Sequence, residues 1–236
     1  VLRTVESVEG EGGMLRVEGG AYRLKGRAPV HPVGGDEVVV ETFLIDARQV
    51  SNAAYKAFVD ATGHRMPYAW QAWGYPEDAG DLPVIWVSME DAEAYARWAG
   101  KRLATVREWQ AAARGREGRL YPSGNESPSE ARAGENVTWL SPEEKFAHYL
   151  RETTAVGERT AWDPPGGLIH SFSNVRELTG TVGSGGGSAY LVGRAWTDDP
   201  RGKTLADVLS GPRVMPSPNV GFRCAKSVDL RLENQE

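Results

Sequence analysis

The sequence predicts a mixed α+β domain: a twisted, mainly antiparallel sheet, at least two packed helices and long irregular loops. Three observations carry that expectation. Residues 82–124 hold two amphipathic segments, each opened by a hydroxyl residue with a carboxylate three positions later and each closed by glycine, the pattern of capped helices. Short apolar or alternating runs at 38–46, 188–196 and 220–228 have the length and β-branched content of strands. Finally, 28 Gly and 14 Pro in 236 residues place turns throughout without repetitive low complexity.

In chain order, residues 1–13 end in a Gly/Glu-rich stretch and read as a flexible or edge segment. Residues 14–24 read as a hairpin, with apolar positions alternating around Gly19-Gly20. After a Gly/Pro loop, VVVETFLID at 38–46 reads as one central strand. Ser51 caps a helix that carries Tyr55, Phe58, Val59 and Thr62 at helical spacing and stops at Gly63. The loop 64–81 sets Tyr68, Trp70, Trp73 and Tyr75 between prolines and glycines, and 82–87 reads as a short extended run.

Ser88 with Asp91, and Thr105 with Glu108, then open the two helices; Gly100 and Gly115 stop them. Arg114 falls where a cation suits a helix C-terminus. SPEEKFAHYL reads as one or two helical turns behind Ser141 and Pro142. TTAVGERTAWDPPGG reads as strand, turn and rigid loop, and SNVRELTG as a short polar-apolar segment. SAYLVGRAW is strand-like, 197–219 is charged, proline-rich loop, and VGFRCAKSV is the closing strand. A single domain is expected over 14–228, with 229–236 as a C-terminal extension.

Composition removes several function classes. The formal charge of −5 comes from 27 basic and 32 acidic residues with no long basic run, so no nucleic-acid partner is expected. The lone Cys224 excludes an intrachain disulfide framework and a four-cysteine zinc site; in its alternating strand it reads as a small buried hydrophobe. The chain holds neither a long apolar run nor a signal peptide, so no direct membrane insertion is expected. Location stays open, and a start at Val1 leaves room for an upstream segment.

The catalytic chemistries find little support. His31, His64, His148 and His170 lack any metal-ligand spacing. GSGGGS at 183–188 lacks the lysine and the strand-turn-helix context of a phosphate loop. Asp198, Asp199 and Asp207 lack helix–loop–helix calcium spacing, although a calcium site built from loops would draw on Asn136 and Asn174. No cofactor is required; structural calcium is the one metal the residues suggest. The richer feature is a set of aromatic and arginine residues, Trp70, Trp73, Tyr190, Arg194 and Trp196, able to build a recognition face.

Nearly the whole chain resembles the formylglycine-generating enzyme/sulfatase-modifying factor family, which has a variant of the C-type-lectin fold. The resemblance runs through FLIDARQVSNAAYKAFVDATGH at 43–64, LPVIWVSMEDAEAYARWAGKRLATVREWQAAARG at 82–115, YPSGNE at 121–126, GGLIHSFSNVRELTG at 166–180, GGS at 186–188 and GFRCA at 221–225. Departures are as informative. The family's GNVWEW is SNVREL here, so Arg176 and Leu178 stand in aromatic positions, and its GGSW-like element is GGSAY. Catalytic members resemble one another in two late cysteines that bind copper; aligning Tyr190 and Arg194 with that element puts Val192 and Thr197 there instead, and neither is a soft thiolate ligand.

The resemblance therefore implies a noncatalytic branch, one example being the variable proteins of diversity-generating retroelements, which display a binding surface on a constant scaffold. That surface would span 188–220, with Tyr190, Arg194, Trp196, Asp198, Asp199, Arg201, Arg213 and Asn219 as contact residues. The expected ligand is a protein or another macromolecule, with a small molecule as the lesser case. Trp196→Ala and Arg194→Ala are expected to weaken binding and leave thermal unfolding nearly unchanged. Two alternatives remain: an oxidoreductase or protein-modifying enzyme with an unconventional site, and a structural or regulatory module, whose aromatics in 188–220 would be buried.

Overall fold

The computed structural model describes residues 9–10 (backbone only), 13–24, 36–127, 137–160, 162–164, 166–183, 186–199, 202–213 and 216–228. Three sheets and five α-helices make up the α+β architecture there. The largest sheet is antiparallel, in the order β1 (Glu9–Gly10), β2 (Met14–Val17), β5 (Phe43–Asp46), β11 (Cys224–Ser227), β6 (Arg102–Leu103). A second sheet runs β10 (Val220–Phe222), β7 (Arg176–Val182), β8 (Ser188–Val192), β9 (Val208–Pro212), with β10 parallel to β7. The third pairs β3 (Gly20–Arg23) with β4 (Glu37–Val40).

Strand expectations are corrected at several points. Residues 14–24 do not fold back on themselves: β2 pairs with β5 and β3 with β4, in one continuous register that places Val17 opposite Phe43 and Gly20 opposite Val40. The run 38–46 is accordingly two strands, bent at Glu41-Thr42 where the ladder passes between sheets. Gly19 is required at that bend: its N–H bonds to Thr42 Oγ1 at 3.0 Å, and a Cβ would lie 2.9 Å from Thr42 N. The closing strand is also two, β10 and β11, in different sheets. Between them Arg223, 1% exposed, turns its side chain inward.

The helices match their caps. Ser51, Ser88, Thr105 and Ser141 each accept the N–H of the residue three on, and the last three form reciprocal capping boxes with Asp91, Glu108 and Glu144. They open α1 (Asn52–Thr62), α3 (Met89–Trp98), α4 (Val106–Arg114) and α5 (Pro142–Glu152). α5 is longer than the one or two turns expected, because Tyr149 is fully buried and anchors it: its hydroxyl donates to Pro83 O and accepts from Asn52 Nδ2, both at 2.8 Å. Arg114 does more than neutralise a helix end, donating to the carbonyls of Gly118 and Arg119 and to Gln110 Oε1. Burial lowers its pKa to about 10.

The aromatic loop 64–81 is packed down, and it contains the short helix α2 (Tyr68–Trp73). Trp73 stacks on Phe146 of α5 at 5.3 Å, and Trp70 packs edge-on to Tyr55 and Tyr75. The segment 82–87 is not a strand. Trp86 adopts φ +55, a left-handed conformation that breaks extension, and its N–H goes to Ser217 O. Nor does 153–160 form a strand; His170 and Asn174 hold it as a loop, through Ala155 O and through Thr154. The long loop 197–219, in turn, contains β9.

Two apolar clusters flank the sheets, one around Tyr55, Phe58, Trp70, Tyr95 and Phe222, the other around Val17, Tyr22, Phe43, Trp109 and Leu205. Cys224 is buried in the first, and desolvation pushes its thiol pKa well up, so it is an inert packing group as its strand context implied. No described helix is long and apolar enough to cross a membrane.

Candidate functional site

The stretch 188–220 starts on β8, whose pairing to β7 and β9 fixes it in the middle of the second sheet. Val192 ends this strand 1% exposed in the apolar cluster with Trp109 and Phe172. Gly193 follows with φ +77, and a Cβ there would meet Ser171 O at 3.2 Å and the Trp109 ring at 3.4 Å. This sharp turn brings the chain out to Arg194.

Residues 194–198 fold into a closed turn. Asp198 N–H donates to Ala195 O at 2.9 Å, and Ala195 N–H donates to Asp198 Oδ2 at 2.8 Å. Arg194 lies over the Phe172 ring at 5.9 Å and donates through Nη2 to Asp198 O at 2.8 Å. Burial lowers its pKa, against the attraction of Asp198 and Asp199. Trp196 N–H donates to Asn174 O at 2.8 Å and the ring stacks on His148 of α5 at 6.4 Å, while its ring nitrogen is buried with no partner among the described residues. Asn219 joins the turn from the other side: Nδ2 donates to Thr197 Oγ1 at 2.7 Å, Oδ1 accepts from Ser217 Oγ at 2.6 Å, and its carbonyl accepts Arg176 N–H at 3.0 Å.

The structure thus joins Arg194, Trp196, Asp198 and Asn219 in one cluster. Asp199 is exposed beside it. Tyr190 is half-buried on β8, its carbonyl accepting Thr179 Oγ1–H. Arg213 is engaged elsewhere, with Glu93 of α3 at 3.4 Å and Gly186 O at 3.3 Å. Arg201 and Asn136 lie outside the described residues. Burial changes the role of two members, since Trp196 and Asp198 are each 8% exposed; truncation of Trp196 reaches the core, and the expectation that Trp196→Ala leaves unfolding unchanged is withdrawn.

Sequence reasoning missed Arg176 as a member. It pairs with Asp198 through Nη2, and it was legible only as an arginine in an aromatic position of the SNVREL element. His148 and Thr197 also enter through contacts with Trp196 and Asn219 that no spacing announces.

The metal candidates divide differently. Asn174, at φ +61, commits its amide oxygen to Thr154 N–H and its amide nitrogen to Thr154 O, both at 2.9 Å. Among the described residues no three His, Cys, Asp or Glu side chains gather as a metal site. Copper does not fit the aligned positions either. Val192 offers a buried isopropyl group, Thr197 a hydroxyl already bonded to Asn219, and Cys224 lies in the other sheet.

Comparison with known proteins places this geometry. The sulfatase-modifying factor enzyme 1-like domain family matches residues 3–228. The formylglycine-generating enzyme of Streptomyces coelicolor is 31% identical over 290 residues, covering 94% of this chain and 88% of that protein. The inactive C-alpha-formylglycine-generating enzyme 2 of Mus musculus is 29% identical, with the same 94% and 88% coverage. The match to the Thermomonospora curvata formylglycine-generating enzyme, 35% identical, spans 48% of this chain and about half, 53%, of that protein. Among solved structures, PvdO from Pseudomonas aeruginosa is similar over 91% of this chain and 94% of its own, with TM-score 0.67 and 16% identity. Treponema denticola variable protein 1 is similar over 94% and 97%, with TM-score 0.54 and 15% identity. At these identities the structures establish the shared fold.

Proposed function

The chain belongs to the sulfatase-modifying factor enzyme 1-like domain family, and within it we propose that this protein is a noncatalytic ligand-binding domain whose recognition surface spans 188–220. One observation carries the reading: where copper-binding members of the family are expected to have thiols, this chain has the buried Val192 and the hydrogen-bonded Thr197. The positions that would do redox chemistry are used for packing and for holding a turn. The surrounding surface keeps the composition of a recognition face, with Tyr190, Arg194, Asp199, Arg213 and Asn219 half-buried or exposed.

Likeness to an inactive formylglycine-generating relative and to a variable protein supports the same direction. The partner proposed is a protein, with retroelement diversification of 188–220 as the narrower form. A reverse transcriptase gene beside a near-copy of the 3′ coding region would establish that form.

The binding reading is tested by panning a displayed random-peptide library on the purified protein. Selected peptides should lose affinity for Tyr190→Ala and Asn219→Ala variants that melt at the parent temperature. Binders insensitive to both would move the site elsewhere. The enzymatic alternative would be revived by stoichiometric copper or iron in natively purified protein. A second reading, a structural module, draws support from the burial of Trp196; it predicts that no selected peptide depends on 188–220.

A further inference from the structure

Resting on that ligand-surface reading, we propose that the surface grips its ligand by a carboxylate of an acidic peptide segment, with Arg176 as the receiving group. Arg176 reaches the cluster from the first position of β7, and its side chain is 18% exposed beside an Asp198 that is 9% exposed. A guanidinium normally engages a carboxylate through two parallel N–H groups. Here that fork is half used. Nη2 reaches Asp198 Oδ1, but Asp198 Oδ2 is held at 2.8 Å by Ala195 N–H, which closes the 195–198 turn. Arg176 Nε is therefore left buried without a partner among the described residues.

The rest of the cluster has the same imbalance. Trp196 Nε1, also buried, is a second donor without a partner among the described residues. The acceptors of the cluster each already take a bond: Asp198 O from Arg194, Asn219 Oδ1 from Ser217, and Thr197 Oγ1 from Asn219. A site with donors to spare and its acceptors engaged selects a ligand that brings acceptor oxygens. Arg176 and Arg194 are balanced in charge by Asp198 and Asp199, so the preference for an anionic ligand rests on the spare donors. To offer Nε and Nη2 together Arg176 would have to release Asp198 Oδ1, while Asp198 Oδ2 stays bonded to Ala195 N–H.

The test follows the Trp196 indole N–H resonance of 15N-labelled protein, assigned by its loss in Trp196→Phe, during titration with an acetylated Glu/Asp peptide. The Gln/Asn counterpart, inorganic phosphate and sulfate are titrated in parallel. A saturable shift with the acidic peptide and none with the neutral one is expected. Arg176→Lys keeps a cation for Asp198 but loses the fork, and should weaken binding about tenfold or more; Asp199→Asn should tighten it. No saturable shift, an equal response to the neutral peptide, or an unchanged Arg176→Lys affinity overturns the proposal. Tighter binding of phosphate or sulfate overturns the carboxylate assignment. Library peptides that depend on Tyr190 and Asn219, yet lack acidic residues and ignore Arg176→Lys, would remove this inference and leave the ligand surface standing. An absence of any binder dependent on 188–220 would remove both.

Discussion

Arg223 and Glu177 form a bidentate ion pair, at 2.6 and 2.7 Å and each 1% exposed, where the chain crosses between the two larger sheets. All five guanidinium N–H donors are used: two on Glu177 and three on the carbonyls of Asp46, Ala47 and Ile169. Glu177 also accepts from Trp109 Nε1 at 2.7 Å and Gln49 Nε2 at 3.0 Å. Removing one partner strands the other charge in the core. Arg223→Met is therefore expected to cost about 3–5 kcal/mol, read by urea unfolding. A loss under about 1 kcal/mol would mean that the junction is held by packing alone.

Asp91 makes a second, smaller hub. It accepts from Ser88 N, Ser88 Oγ and Arg65 Nε, and bonds His64 Nε2. Burial pushes its carboxyl pKa up, but the bonds from Arg65, Ser88 and His64 outweigh burial and leave it lowered. A lowered folded-state pKa contributes stability above the unfolded carboxyl value, about 3.9, which is lost as pH falls toward the folded value. Parent protein should lose stability in that acid window, and Asp91→Asn should lose less of it. Ser88→Ala, which removes the cap, should cost about 1–2 kcal/mol at neutral pH.

His170 titrates with the same slope from the opposite chemistry. It is fully buried, with Nε2 3.1 Å from Ala155 O and Nδ1 2.9 Å from Ser173 Oγ. These partners fit a neutral ring that donates through Nε2 and accepts at Nδ1. Burial depresses its pKa against the pull of Asp163. Below about pH 6.5 the unfolded chain takes up a proton that the folded chain refuses, so stability falls until the pH passes the folded value. His170→Gln should flatten that part of the stability profile; an unchanged slope would assign it to another group.

Trp196 separates packing from recognition. At 8% exposed, Trp196→Ala should destabilise by about 3 kcal/mol or more, measured by denaturant unfolding. A variant as stable as the parent would return Trp196 to the ligand face.

Calcium can be tested directly. With the Asn174 amide committed at both ends to Thr154, the melting temperature should be the same in EDTA and in millimolar calcium. A calcium-dependent rise would point to a loop-built site.

The caps and stops of α1, α3 and α4 were legible because they are local: a side chain at one position satisfies an N–H three residues on. The family was legible because its motifs recur in order along the chain. Strand pairing was not. Residues 14–23 find their partner at 37–46, and the break between sheets rests on a contact between Gly19 and Thr42 that no alternation of apolar residues encodes.

The sequence by itself determined the fold class, the caps of α1, α3 and α4, and that a single cysteine leaves no thiol pair. Only the tertiary structure decided which members of 188–220 face outward. It buried Trp196 against His148, engaged Arg213 with Glu93, and brought in Arg176 from β7 to pair with Asp198. The physical reason is range. Capping and turn chemistry are settled within a few residues, whereas burial and ion pairing depend on elements that meet only after the sheets have closed around Arg223 and Glu177.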